Sequence, residues 1–505
     1  MTTTPDRATA APVRFPDTIV YRGYFAPSRI EADVYDLEVE GEIPRDLDGA
    51  FLRNAADAQY PPNHPLDIFL NGDGMVTKIR IKDGHADLQT RFVRTERFLA
   101  ERKARRSLVG AYRNWYTDDP LVAGIQADNN ANTSIVWHAG KMLALKEAGL
   151  PYELDPHTLE TKGIYDFNGQ ITGKTFTAHP KIDPRTGQML AYSYFPSGKP
   201  DNEINLFEID PKGVFTRTEK FLAPYASSVH DWIVTRDHLV FTFGPFIADA
   251  ERLKTEPQYF MWDPRERSHI AVIPRDEGVA GMKWFGVDEV IMEGHTINGW
   301  SNDDGTVTLE HSVSASGWFS QFPKTATGEE IPEAPPFMEH WVLDLTHGSD
   351  SPVMDGGNQH TSTRLWQFPA DFPRIDPRAM MAKHRHTWLG TFNPTLGPLP
   401  EFGPMGPPFN SIVHLDAETG KQSSYYPGEN SAPEESVFAP KNDDADEGEG
   451  YLMALVSRRN EMRTDFVILD AQDVSAGPIA TVRIPFRLRY GFHGTWIPGN
   501  ELEPS

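Results

Sequence analysis

Four of the seventeen histidines in this 505-residue chain stand where they could hold a metal together. They are His179 in Phe176-Thr177-Ala178-His179-Pro180, His230 in Ser228-Val229-His230-Asp231-Trp232, His295 in Glu293-Gly294-His295-Thr296, and His493 in Gly491-Phe492-His493-Gly494-Thr495-Trp496. Each lies at the edge of a β-like run, three of them beside a small residue. The chain has no cysteine, which removes disulfides, thiolate catalysis and zinc–sulfur sites together; any metal must sit on nitrogen or oxygen. Four neutral imidazoles suit a first-row divalent metal, leave its charge intact and, in octahedral geometry, leave two positions for O2 and for solvent or substrate. The usual alternative for nonheme iron is two histidines and a carboxylate. His384 and His386 could contribute to one, but Lys383 and Arg385 beside them put like charge next to a cation site.

Side chains so far apart in sequence meet only if short elements are gathered around one axis. Hydrophobic residues make up 39% of the chain and aromatics 11%, enough for a sizeable core, and 40 glycines and 42 prolines imply many short connections, which favours β-structure. One pattern recurs six times: an apolar strand end, an aspartate, then proline or alanine, at Asp155, Asp183, Asp210, Asp263, Asp416 and Asp470. Aspartate closes such turns by accepting backbone N–H bonds two residues on, and proline presets φ. The separations of 28, 27 and 53 residues, then 54, suggest a unit of 27 or its double. Propeller blades take about 40–50 residues, although such turns occur in any β-protein. Helical candidates are few, at residues 97–106 and 377–383. The Pro/Gly-rich stretch 395–410 reads as an excursion from the blades, and the acidic run 442–450 as a solvated turn whose spacing fits no calcium loop.

The net charge of −24 repels phosphate backbones and anionic lipid surfaces, so nucleic acid is not an expected partner. Residues 1–14 read as a disordered tail, without the basic and apolar regions of a signal peptide, and residues 15–505 as a single domain. The absence of an apolar run of about 18 residues argues against a membrane span and makes the cytoplasm the default location. Oligomeric state is not legible, and a homodimer is left open.

The four histidine contexts, in this order, resemble the iron-binding motifs of the carotenoid cleavage oxygenases. The resemblance extends to Gly41-Glu42-Ile43-Pro44, Phe51-Leu52-Arg53-Asn54 and Asn71-Gly72-Asp73-Gly74-Met75-Val76, and covers roughly residues 35 to 500. It implies an all-β, seven-bladed propeller with a loop and helix dome over an axial Fe(II). It also implies three carboxylates behind the ligand rings, which by local motif are Glu147, Asp371 and Glu435. Such partners fix the tautomer and orientation of a ligating imidazole. Asp371 stands where glutamate is commoner, and its shorter side chain calls for a backbone shift or a water to reach its ring.

Within the family, Lys146 and Tyr112 resemble the pair with which lignostilbene dioxygenases bind a phenolic hydroxyl, with Tyr116 as an alternative to Tyr112 and Phe69 as a candidate ring contact. Adjacent strand residues point to opposite faces, so Lys146 and Glu147 are expected to serve opposite sides of one layer. Together these imply cleavage of the central double bond of a 4-hydroxystilbene by O2 to two aromatic aldehydes. Three rivals stand beside it: apocarotenoid cleavage at the same metal, alkene isomerisation without oxygen incorporation, and a non-enzymatic propeller that binds partners.

Overall fold

The computed structural model describes residues 14–287, 290–316, 323–331, 334–352, 360–404, 406 and 408–503. The expected tail therefore lies, apart from Arg14, outside the described residues, as do residues 405 and 407 of the Pro/Gly-rich stretch. Antiparallel sheets follow one another around an axis as seven blades. Blade 1 contains Ala32–Val34, Gly49–Arg53, Asp73–Lys82 and His85–Phe92; blade 2 runs from Ser134–His138 to Thr161–Ile164. Blade 3 runs from Lys181–Ile182 to Phe215–Leu222, and blade 4 from Ile233–Val234 to Lys283–Val287. Blades 5 and 6 run from Met292–Ser301 to His360–Arg364 and from Ala370–Ile375 to Gln422–Tyr425. Blade 7 is built on Gly450–Arg458, Arg463–Asp470 and Pro478–Ile484.

The ring is stitched twice. The C-terminal strand Gly494–Pro498 pairs with Gly49–Arg53 of blade 1, and the N-terminal strand Glu38–Gly41 pairs with Pro478–Ile484 of blade 7. Arg53 and Glu434, both almost fully buried, form a two-point ion pair across the seam at 2.6 and 2.8 Å. The core follows the blades, with apolar clusters filling the wedge between each neighbouring pair, such as Leu143, Leu145, Met189 and Ala191 between blades 2 and 3.

All six aspartates accept the N–H two residues on, at 2.8–3.1 Å. Five close hairpins at the end of the propeller where first strands turn into second and third into fourth, so the 27-residue interval is two strands and the 54-residue interval is one blade. Asp263 departs from the pattern. It ends a two-stranded ribbon, Phe246–Ala248 with Phe260–Trp262, that rises from blade 4 at the opposite end.

That opposite end carries the dome. Its α-helix spans Glu96–Ala104, close to the expected 97–106, with Thr95 Oγ1 accepting from Phe98 N–H as N-cap. The second candidate shrinks to a single 3-10 turn, Pro377–Ala379, because Met380 turns to extended backbone with ψ 143° and Met381 then takes a left-handed φ of 67°. The stretch 395–410 is a long connection between two strands of blade 6. Carbonyls of Asn442, Asp443, Ala445 and Asp446 in the acidic run accept from the Arg378 guanidinium.

Candidate active site

Each blade delivers one polar side chain to the dome end of the axis. His179 precedes the first strand of blade 3, His230 that of blade 4, His295 lies in that of blade 5, and His493 immediately precedes the strand that closes blade 1. Their ring nitrogens lie within 4.8 Å of one another. Nε2 of His230 is 3.2 Å from that of His179 and 3.0 Å from that of His295. Nitrogens bound at about 2.1 Å to one metal and at right angles to each other would be ~3.0 Å apart, so this donor set fits a single divalent ion. Burial holds His179 well below the usual histidine pKa and His493 down to about 4, which keeps both rings neutral and free to ligate. His295 is pushed the other way: burial lowers it, but Asp371 outweighs that.

The remaining three blades supply the carboxylates. Glu147 of blade 2 accepts from His230 Nδ1, Asp371 of blade 6 accepts from His295 Nδ1 at 3.0 Å, and Glu435 of blade 7 accepts from His493 Nδ1 at 2.8 Å. Glu435 also accepts from Arg374 and from Gly494 N–H. Burial works to raise this carboxyl, but Arg374 and His493 hold it at about 2. Likewise His230 and Lys146 overcome burial and keep Glu147 well below the carboxylate range. Asp371 needs no bridging water. The strand slips register between Asp371 and Arg374 and Phe372 adopts φ 51°, a bulge that carries the shorter side chain to its ring. His179 has its carbonyl held by Trp232 Nε1 and its own N–H by Thr177. His384 and His386 take no part: His384 contacts Asn298, Thr387 and Glu310, and His386 bonds His414 at 2.9 Å.

A cavity of about 780 Å³, including its mouth, opens onto three of the four histidines, His230, His295 and His493. Its apolar walls include Leu70, Phe246, Phe260, Met292, Phe372 and Phe492. Lys146 and Tyr112 form a polar corner, with the ammonium 5.3 Å from the Tyr112 ring and 3.3 Å from Asn132 Oδ1. The strand ends at Leu145, so the alternation expected of adjacent strand residues does not apply; Lys146 and Glu147 line the same cavity, 3.8 Å apart. Burial lowers the ammonium to about 8 against the pull of Glu147, and burial raises the Tyr112 phenol against Arg113. Both are therefore donors near neutral pH. Behind them Arg113, buried with φ 55°, lies 4.6 Å over the Tyr259 ring and donates to Tyr194. Tyr116 is half exposed outside the cavity, and Phe69 lies one layer back, packed on Phe492 at 5.2 Å. Thr133, Tyr194, Phe246, Phe260, Met292, Phe372 and Phe492 were not among the expected residues; Phe372 and Phe492 adjoin Asp371 and His493 and could have been found from that adjacency alone.

The sequence matches the retinal pigment epithelial membrane protein (RPE65) family over residues 25–498. The chain belongs to this family, that of the carotenoid cleavage oxygenases. It is 39% identical over 477 residues to an isoeugenol monooxygenase of Pseudomonas nitroreducens, covering 94% of this chain and 97% of that protein. To resveratrol cleavage oxygenase 1 of Aspergillus fumigatus it is 37% identical over 498 residues, 97% of each chain. The crystal structure of Pseudomonas brassicacearum lignostilbene dioxygenase superimposes with a TM-score of 0.88 at 39% identity, covering 96% of this chain and all of that one. The chain is accordingly an oxygen-incorporating enzyme of the dioxygenase class on the seven-bladed propeller of its family. No helix among its described residues is long and apolar enough to cross a membrane.

Proposed function

We propose that the chain is an iron(II)-dependent dioxygenase that cleaves the central double bond of 4-hydroxystilbenes, giving two aromatic aldehydes whose new oxygens both come from O2. The observation that carries this reading is the polar corner of Lys146 and Tyr112 in an otherwise apolar cavity that opens onto the histidine cluster. Isoeugenol, resveratrol and lignostilbenes, the compounds for which the relatives are named, share a 4-hydroxyphenyl ring conjugated to an alkene.

His179, His230, His295 and His493 would hold Fe(II), and Glu147, Asp371 and Glu435 orient three of those rings. Bound iron would supply the activation of O2. Lys146 and Tyr112 direct an N–H and an O–H at the phenolic oxygen and favour its anion, from which charge reaches the alkene through the ring only when the hydroxyl is para. The apolar walls exclude water and seat the rings. An apocarotenal offers the buried Lys146 a carbonyl oxygen but no phenol to ionise, and an isomerase incorporates no oxygen. Incubation under labelled O2 with 4-hydroxystilbene, 3-hydroxystilbene and an apocarotenal, with metal analysis of the same protein, tests the reading. Expected are doubly labelled aldehydes from the 4-hydroxy isomer and about one iron per chain; preferential cleavage of the apocarotenal would overturn it.

A further inference from the structure

The metal site and the phenol corner leave one carboxylate of the cavity lining unused. Glu293 stands two residues before His295 on the first strand of blade 5, yet the partner of His295 is Asp371 and that of His230 is Glu147. One Glu293 oxygen accepts from Nδ1 of His311, which is fully buried and packed edge-on against Trp341 at 4.6 Å. The other oxygen has no hydrogen-bonding partner among the described residues. It belongs to a side chain that lines the main cavity and an adjoining small recess bounded also by Ser228, Asp231, Thr242 and Gly244. His311 is held by the core, so it fixes the carboxylate through the one oxygen it bonds and leaves the other for whatever fills the space.

The position in the ring says what that is. Lys146 belongs to blade 2 and Glu293 to blade 5, three blades away in a ring of seven, which puts them on opposite sides of the axis with the histidines between. A stilbene whose 4-hydroxyl lies at Lys146 and whose alkene lies over the metal site sends its second ring toward blade 5. A carboxylate oxygen only accepts hydrogen bonds, so it rewards a hydroxyl on that ring and opposes an ether or other acceptor.

We propose that Glu293, oriented by His311, is the specificity-determining acceptor for a hydroxyl on the second ring, so that the preferred substrates are stilbenes bearing hydrogen-bond donors at both ends. This rests on the 4-hydroxystilbene reading. The test compares 3,5,4′-trihydroxystilbene with 3,5-dimethoxy-4′-hydroxystilbene; both satisfy the Lys146 corner and they differ only where Glu293 would bind. A hydrogen bond to a charged group predicts that wild type favours the trihydroxy compound by about 10-fold or more in kcat/KM, chiefly through KM. Glu293→Gln keeps an oxygen for His311 Nδ1–H and turns an NH2 toward the cavity, so the preference should collapse or reverse in favour of the dimethoxy compound. Wild type discriminating less than twofold, or an unchanged ratio in Glu293→Gln of intact metal content, would overturn the proposal. If the variant does not fold, competitive inhibition of wild type by the two bridge-saturated analogues reads the same preference: the trihydroxy analogue should bind about tenfold more tightly, and equal inhibition by the two would count against Glu293. Cleavage of neither compound by wild type would instead overturn the underlying stilbene reading.

Discussion

Replacing Lys146 by methionine removes a charge while keeping the length and most of the volume of a side chain that is 3% exposed. Among the described residues the ammonium hydrogen-bonds Asn132 Oδ1, stands 3.8 Å from Glu147 and lies over the Tyr112 ring, so a donor remains for a substrate oxygen. Hydrogen bonds to charged groups are worth about 1.5–3 kcal/mol, and each ~1.4 kcal/mol is tenfold in rate. Expressed in the transition state, the loss lowers kcat/KM for 4-hydroxystilbene roughly 10- to 100-fold. It should scarcely alter the 3-hydroxy isomer, whose oxygen is not conjugated with the alkene in the required sense. The pH dependence gives a second signature. An ammonium beside a phenolate holds one proton fewer than free ammonium plus free phenol, so binding in that form requires the free lysine to have lost its proton. Wild-type kcat/KM should therefore rise with pH up to about 8, the value to which burial lowers Lys146, and fall only as the free phenol ionises near about 10. Lys146→Met should lack the limb near 8. Steady-state kinetics on the two isomers between pH 6 and 10, with iron measured in both proteins, decide the matter. Equal rates for the isomers in wild type, or superimposable pH profiles for the two proteins, would refute phenolate activation.

Replacing His493 by alanine should abolish turnover and reduce iron well below one per chain by elemental analysis; an active variant with bound iron would sink the four-ligand arrangement. Glu435→Gln and Asp371→Asn should each lower iron affinity or rate by about 10- to 100-fold, read by chelator competition. The larger loss is expected at Glu435, which also holds Arg374 and Gly494 N–H. Tyr112→Phe should act in the same direction as Lys146→Met but less, since it removes a neutral donor, and should leave iron unchanged. Arg53→Met leaves Glu434 buried and unpaired, and loss of one partner of such a pair costs about 3–5 kcal/mol; a denaturant midpoint within error of wild type would show that the seam pair is not structural.

Much of the histidine cluster could be read from sequence because each member is announced by its immediate neighbours. A blade's first strand must start at the axis, and the residues just before it, His179-Pro180 or His230-Asp231, carry that information locally. The turn aspartates are legible for the same reason, since their hydrogen bonds span two residues. Lys146 shows where local reasoning stops: alternation holds only while the strand lasts, and it ends at Leu145. Asp263 repeats the spacing by coincidence because the ribbon it closes is an insertion of similar length. The cavity walls were out of reach for a different reason. Leu70, Met292 and the ribbon pair Phe246 and Phe260 come from different parts of the chain, and nothing in their neighbourhoods distinguishes a wall residue from a core one.

The double seam sets a clock on the enzyme's biosynthesis. Three of the four clustered histidines leave the ribosome early, but the fourth immediately precedes the strand that zips blade 1 shut. At about 5–20 residues per second, synthesis from residue 295 to residue 493 takes on the order of 10 to 40 s. Throughout that interval the nascent chain exposes an incomplete nitrogen cluster beside an open ring, so a metal captured then would be loosely held and exchangeable. Only docking of the final strand brings His493 in, with Glu435 bonded both to its ring and to the N–H of Gly494. Closing the ring and completing the histidine cluster are thus one event, and a tightly bound ion would certify that the last strand has found its place.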